Sequence, residues 1–156
     1  MNDTALISIL MGVYYRRPDT TPLERSVRSI LEQTTPAFEL LICDDGSSDA
    51  ASTLLDELSR QDSRIRLIRP GGVFPLPNKL NVCLREARGA WIGRMDDDDC
   101  AHPDRLEKQL DYLERHPDIS FVGCNVDLIR GGQPAGQWRF PELPTVEDFY
   151  IRQPYV

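Results

Sequence analysis

Short apolar runs alternate with amphipathic stretches along most of the chain. Residues 5–11 (ALISILM) form a nearly continuous hydrophobic run rich in branched side chains, which predicts a strand buried on both faces, as in a parallel sheet. Gly12 to Thr21 reads as a loop. Pro22 suits the first turn of a helix with Thr21 as its cap, and Leu23, Val27, Ile30 and Leu31 recur at helical spacing. Phe38 to Cys43 predicts a second buried strand, ended by Asp44-Asp45-Gly46-Ser47-Ser48-Asp49. The helix after it turns Leu54, Leu55 and Leu58 inward. Ile65 to Arg69 predicts a short third strand; Pro70-Gly71-Gly72 breaks it, and Pro75 and Pro77 predict an irregular stretch. Leu80, Leu84 and Ala87 mark a helix closed by Gly89. Ala90 to Met95 predicts a fourth strand that runs into Asp96-Asp97-Asp98-Asp99. Pro103 opens a helix carrying Leu106, Leu110 and Leu113. Ile119 to Val126 predicts a fifth strand, Gly131 to Gly136 a turn-rich loop, and Thr145 with Asp148 a short capped helix near the end.

Strands alternating with helices predict an α/β fold: three layers, α/β/α, around a mostly parallel central sheet. The length of 156 residues suits one domain. Open parallel sheets bind ligands outside the carboxyl ends of their strands, where strand order reverses. Both acidic clusters follow strands directly, so both should lie on one edge of the sheet.

Charge narrows the partners. The formal net charge is -7, with no basic cluster, which argues against nucleic acid. An acidic protein that binds an anionic phosphate needs a divalent cation to offset the repulsion. Cys43, Cys83, Cys100 and Cys124 show no ligand spacing and read as reduced thiols of a cytoplasmic protein, Cys43 and Cys124 within apolar runs. The start lacks a signal-peptide pattern, and the longest apolar run, Ala5 to Val13, is too short to span a bilayer.

The run Asp96 to Asp99 is the strongest chemical signal. Four adjacent carboxylates repel one another, and hard oxygen ligands suit Mg²⁺ or Mn²⁺. In an extended stretch Asp96 and Asp98 would share one side. A solvated acidic run ahead of the helix at Pro103 is the other reading. Asp44-Asp45-Gly46-Ser47 is also ordinary turn chemistry, with Ser47 or Ser48 as a helix cap. Lys79 could reach a phosphate and Asn81 a sugar or base; a solvated helix start accounts for both equally. His102, close to the Asp run, could be a ligand or stand behind one, though a His just before Pro at a helix start is more often structural; His116 reads as a partner of a helix C-terminus.

Together the segments SILMGVYY (residues 8–15), SILEQT (29–34), FELLICDDGSSD (38–49), GAWIGRMDDDD (89–99) and PDRLEKQ (103–109) resemble family 2 glycosyltransferases of the GT-A fold, in the family's order, from about Ala5 to Val126. The resemblance implies that the three-layer sheet is of the Rossmann-like, nucleotide-binding type, with a nucleotide-diphosphate sugar donor, UDP first among them. Asp98, with Asp96, would hold Mg²⁺ or Mn²⁺, and Asp96 and Asp97 would face ribose or phosphate. Asp44 and Asp45 fall on the family's acidic pair, with Asp45 bonding the base, and Gly12, Val13 and Tyr14 would border that base. Lys79 and Asn81 fall where related enzymes contact the nucleotide-sugar. Related sequences often carry Pro at the position of Gly12 and Asn at that of Tyr15. The resemblance further implies inverting transfer to a carbohydrate, lipid-linked or protein acceptor in cell-surface polysaccharide synthesis. It places the catalytic base beyond Val156, so that residues 1–156 form one donor-binding domain that ends before its acceptor segment.

Other readings are a non-catalytic nucleotide- or partner-binding module on a degenerate transferase fold, or a receiver-type domain. The receiver needs acids after the first strand, where this chain has Gly12-Val13-Tyr14. A dinucleotide-binding dehydrogenase needs a glycine fingerprint that the first strand lacks.

Overall fold

The computed structural model describes residues 6–35 and 37–142. The chain divides into two compact units between Glu107 and Lys108. The first holds a four-stranded parallel sheet of β1 (Ile7–Val13), β2 (Phe38–Asp44), β3 (Ile65–Ile68) and β4 (Trp91–Arg94), in the order β3-β2-β1-β4. Helices α1 (Thr21–Leu31), α2 (Asp49–Gln61) and α3 (Leu76–Glu86) link successive strands. Parallel strands need crossovers, and right-handed crossovers put α1 and α2 on one face and α3 on the other. The expected three-layer α/β arrangement follows.

Every residue of β2, and all of β1 but the half-buried Gly12, is buried. Period-two alternation divides them between the layers. Leu10, Leu41 and Cys43 meet Cys83 of α3, with Ile68, Leu80, Val82 and Ala87 around them. Ile9, Met11, Val13, Leu40 and Ile42 point the other way, toward the layer whose helices bury Leu23, Val27, Ile30, Ala51, Leu55 and Leu58. Each such aliphatic side chain contributes about 1.5–3 kcal/mol relative to exposure.

The amino edge of the sheet is pinned by a buried polar network. Ser8 Oγ donates to Glu39 Oε1 at 2.7 Å, Arg66 reaches Glu39 Oε2 at 2.9 Å, and the Arg88 and Gly89 amides donate to Glu39 Oε1 and Ser8 Oγ at 2.7 and 2.8 Å. Burial alone would raise the Glu39 carboxyl; donation from Ser8, Arg66 and Arg88 holds it below its ordinary value.

Several elements differ from the sequence reading. Gly12 and Val13 belong to β1, because β2 pairs with that strand through Val13 opposite Asp44. Helix α1 starts at Thr21 with Thr20 as its cap residue. Pro77 lies in the first turn of α3, where its missing N–H costs nothing, and that helix buries Lys79 and Cys83 while leaving Leu84 exposed. Helix α4 (Arg105–Arg115) begins two residues after Pro103, with Leu106, Leu110 and Leu113 buried as expected.

In the second unit the fifth strand is displaced. Residues 119–125 carry no strand, and β5 (Val126–Arg130) pairs antiparallel with β6 (Gln133–Trp138). Gly131 and Gly132 lie between them at φ 56° and 76°. Two left-handed residues in succession make a tight hairpin turn, which recruits the flanking residues into strands and draws the pairing away from Ile119. The register slips between Leu128 and Ile129, close to Pro134, which has no N–H for the ladder.

All four cysteines are free; Cys43 and Cys83 are buried, whereas Cys124 is exposed despite its apolar surroundings in sequence. Among the described residues no helix is long and apolar enough to cross a membrane. The short helix expected at Thr145 and Asp148 lies outside the described residues.

A Cβ at Gly89 would stand 2.6 Å from both Leu6 O and Ser8 N, backbone atoms that cannot yield without moving β1. Gly89→Ala is expected to cost about 1–3 kcal/mol, as overpacking does. Gly71→Ala, with nothing within 4 Å, should stay within about 0.5 kcal/mol of the parent. Urea unfolding midpoints of the two variants check the contrast.

Candidate functional site

The carboxyl ends of β1, β2 and β4 converge because all strands run the same way. β1 is the strand at which order reverses, with β2 and β3 on one side and β4 on the other. Its pairing with β4 stops at Leu10 opposite Arg94, while its pairing with β2 continues to Val13. The chain leaves β4 at Met95 and turns into the acidic run, so the last three residues of β1 extend past the ladder with β4 at this edge. This is the position where open parallel sheets take ligands.

Asp44 is tied into its own turn. Its Oδ1 accepts from the Gly46 and Ser47 amides at 3.4 and 3.1 Å, and Arg69 Nε lies 3.4 Å from Oδ2. Burial would push this carboxyl up, but the Ser47 hydroxyl and N–H, the Gly46 N–H and Arg69 together hold it below the usual carboxylate range. Ser48 caps α2 through the Ala51 amide, while Ser47 Oγ accepts from Tyr15 N at 2.9 Å and so fastens this turn to the end of β1.

Asp45 is buried with a different set of partners. Phe74 N donates to its Oδ2 at 2.6 Å, and Lys79 Nζ lies 2.8 Å from Oδ1. The Lys79 hydrogen bond goes to Val13 O at 3.2 Å, so the ammonium faces Asp45 Oδ1 as a charge, outside hydrogen-bond alignment, and that oxygen has no hydrogen-bond donor. Lys79 is therefore held against β1 and β2, not extended toward solvent. Gly12 permits this approach, since a Cβ there would meet Leu76 Cδ1 at 2.7 Å and Lys79 Cβ at 3.2 Å. The half-exposed Tyr14 ring has Lys79 Nζ and Arg16 Cζ each 5.2 Å from its centroid, within cation–π range.

The acidic run turns at Asp97 and Asp98 and is not extended. The same-side argument for Asp96 and Asp98 is thus replaced by a turn. Asp96 takes Arg94 at 3.0 and 3.2 Å, and Asp98 lies 3.4 Å from Arg17. Burial pushes the Asp97 carboxyl up, and the charges of Asp98 and Asp96 add to it; its own N–H and that of Tyr14 oppose the shift without cancelling it.

The structure thus gathers Gly12, Val13, Tyr14, Asp44, Asp45 and Lys79 at one strand edge, with Asp97 close enough to interact with Tyr14. Asn81 stands apart: two positions after Lys79 is about 200° around the helix, and the side chain is exposed. His102 is exposed and pairs with Asp104 at 2.6 Å. His116 follows the last residue of α4, at the helix C-terminus as expected; its Nδ1 lies 2.8 Å from Tyr112 O and its ring stacks on Tyr112. Sequence reasoning missed Arg17, Arg94 and Phe74. Their pairing depends on loop paths that no periodicity records.

Among the described residues no three His, Cys, Asp or Glu side chains converge on one point. The donor set still suits Mg²⁺ or Mn²⁺. The turn offers hard carboxylate oxygens, and Mg²⁺ commonly takes only one or two carboxylates beside substrate phosphates.

Asp97 and Asp44 predict opposite pH effects. The Asp97 carboxyl is raised on folding, so its ionised form is penalised above the folded value and the penalty vanishes below the unfolded value of about 3.9. Asp97→Asn should raise the melting temperature at pH 7, with the gain fading as pH falls through that window. The Asp44 carboxyl is lowered, so its contribution is complete above about 3.9 and is lost as pH falls through the folded value. Asp44→Asn should lower the melting temperature at pH 7 and flatten the acid limb. Calorimetric melting from pH 3 to 7 reads both.

Comparison with known proteins places this geometry. The sequence matches the family described as glycosyl transferase family 2 over residues 8–152. It is 38% identical over 145 residues to EpsE of Bacillus subtilis (strain 168), a glycosyltransferase by assignment, covering 92% of this chain and 51% of that protein. It is 32% identical over 143 residues to the Escherichia coli UDP-Glc:alpha-D-GlcNAc-diphosphoundecaprenol beta-1,3-glucosyltransferase WfgD, covering 92% and 54%. The chain spans about half the length of these curated relatives. In fold it is similar to the mannosyltransferase PcManGT from Pyrobaculum calidifontis in complex with GDP-Man and Mn²⁺, with a TM-score of 0.64, 19% identity and coverage of 83% and 36%. It is also similar to S. aureus TarS 1–349 in complex with UDP, with a TM-score of 0.62, 20% identity and coverage of 72% and 33%. At those identities the structures speak for the fold alone, a GT-A fold, and the sequence matches carry the rest: the chain belongs to glycosyl transferase family 2.

Proposed function

We propose that this chain is the donor-binding part of a glycosyltransferase that moves a sugar from a nucleotide diphosphate, UDP first among candidates, to an acceptor hydroxyl in cell-surface polysaccharide synthesis. The observation that carries this reading is the meeting, at the switch point of a parallel sheet, of the Asp45–Lys79 pair and Tyr14 with the Asp96–Asp99 turn. Gly12, Val13 and Tyr14 border the base, Asp44 fixes the turn beneath it, and Lys79 adds a fixed positive charge behind Asp45. Asp96 and Asp97 face ribose and phosphate.

Asp98, with Asp96, would hold Mg²⁺ or Mn²⁺. When bound, such an ion offsets the charge that grows on the diphosphate as the bond to sugar breaks. Arg17, paired with Asp98 at 3.4 Å, and Arg94, paired with Asp96, keep those carboxylates partly balanced beforehand. The transfer is a single displacement with inversion. A carboxylate takes the acceptor proton, and that base is assigned to sequence beyond Val156. The printed name of WfgD carries both a UDP-linked donor and a diphosphoundecaprenol-linked acceptor, which supports a lipid-linked acceptor here.

Calorimetric titration with UDP and Mn²⁺ is expected to show binding by the 156-residue chain. EDTA should abolish it, and Asp98→Ala should weaken it about tenfold or more, since a ligand of the ion is lost. Silence toward UDP and GDP alike, with metal present, overturns the donor reading. Efficient sugar transfer by the same chain overturns the placement of the base.

A further inference from the structure

Helix α1 has apolar residues on its buried face and a second, polar row beside them. Ser26 and Ser29 of α1 and Gln33, two residues past its end, stand at i, i+3 and i+7, and all three reach the segment from Asp96 to Leu106. Ser26 Oγ donates to Asp96 O at 2.7 Å. Ser29 Oγ accepts from Ala101 N at 3.0 Å. The Gln33 amide works in both directions, donating through Nε2 to His102 O at 2.7 Å and accepting through Oε1 from Leu106 N at 2.9 Å. Thr34 N adds a bond to Pro103 O at 2.8 Å. Ser26 is fully buried and Gln33 is 6% exposed.

A buried hydroxyl or amide costs free energy unless it is hydrogen-bonded, so an apolar side chain would serve packing better at positions 26 and 33. What these groups do is satisfy the backbone of a segment that has almost no structure of its own. Residues 95–104 contain only two turns, at 97–98 and 103–104. Four adjacent carboxylates repel one another and would tend to spread this loop. Helix α1 can oppose it, because Leu23, Val27 and Ile30 anchor its other row in the core.

We propose that Ser26, Ser29 and Gln33 are positioning residues: polar side chains on α1 and just past its C-terminus that fix the backbone of the acidic loop and so set where Asp96, Asp97 and Asp98 stand at the sheet edge. The functional consequence rests on the donor-binding reading above. The row touches neither donor nor ion; it acts through the loop backbone, as outer-shell partners of metal ligands do.

Two measurements on the 156-residue chain test this. The first is amide hydrogen exchange in Ser26→Ala, Ser29→Ala and Gln33→Met, with Ser29→Thr, which keeps the hydroxyl, as the conservative variant. Exchange should accelerate at Ala101, at Leu106 and across residues 96–104, leave β2 and α2 unchanged, and return toward the parent in Ser29→Thr. The second is the dissociation constant for UDP with Mn²⁺, which should rise about tenfold or more in Ser26→Ala and Gln33→Met. Ser8→Ala, which breaks the network at the opposite edge of the sheet, should lower the melting temperature without changing loop exchange or UDP affinity. Exchange that is unaltered in the loop, or that rises evenly over the sheet, overturns the proposal. So does a loss of affinity in Ser8→Ala as large as in Ser26→Ala at matched stability. If the parent chain binds no UDP while the exchange changes stay confined to the loop, the positioning role stands and the donor reading falls.

Discussion

Two carboxylates in succession at the end of a fully buried strand must each find compensation, and the way they do so organises the first unit. Asp44 draws on the turn that follows it and on Arg69, which also reaches Asp56 of α2 at 2.8 Å. Asp45 draws on the Phe74 amide and the Lys79 ammonium, which come from the connection into α3 and from its first turns. One strand end therefore fixes three neighbouring segments. The buried position of Lys79 decides which face of α3 meets the sheet, and that approach leaves no space for a side chain at Gly12. An unpaired charge at this depth would cost several kcal/mol, so the arrangement is as much a condition of folding as a feature of the site.

The strands and the placement of both acidic clusters were legible in the sequence because they rest on local rules. A run of branched apolar residues must be buried, a parallel sheet follows from alternation with helices, and residues after strands fall at its carboxyl edge. The face of α3 was not legible. Leu80, Leu84 and Ala87 form the expected apolar stripe, yet a lysine claims the buried face because its partner lies more than thirty residues earlier in the chain. The hairpin was missed because residues 119–126 are more hydrophobic than residues 126–130, while the deciding signal was the backbone freedom of Gly131-Gly132. The turn at Asp97–Asp98 was missed because its supports lie on α1.

The two acidic clusters have been handled in opposite ways. At β2 the carboxylates are compensated within the fold, Asp44 by its turn and Arg69 and Asp45 by Lys79 and the Phe74 amide. At the end of β4 four carboxylates share the arginines at the rim, and burial, helped by the charges of Asp98 and Asp96, raises Asp97. A fold that tolerates such repulsion keeps it where a cation and an anionic ligand can relieve it together, which is why functional sites tend to be the least stable parts of a structure.

The bonds from α1 to the acidic loop have an evolutionary consequence. They terminate on backbone atoms, so the shape of the loop does not depend on which side chains the loop carries. Shape and chemistry are stored in different stretches of sequence, about seventy residues apart. A lineage can therefore exchange one carboxylate of the run for another polar group without dismantling the loop. Substitutions on α1 have no such freedom, because each alters the platform on which every version of the loop is built.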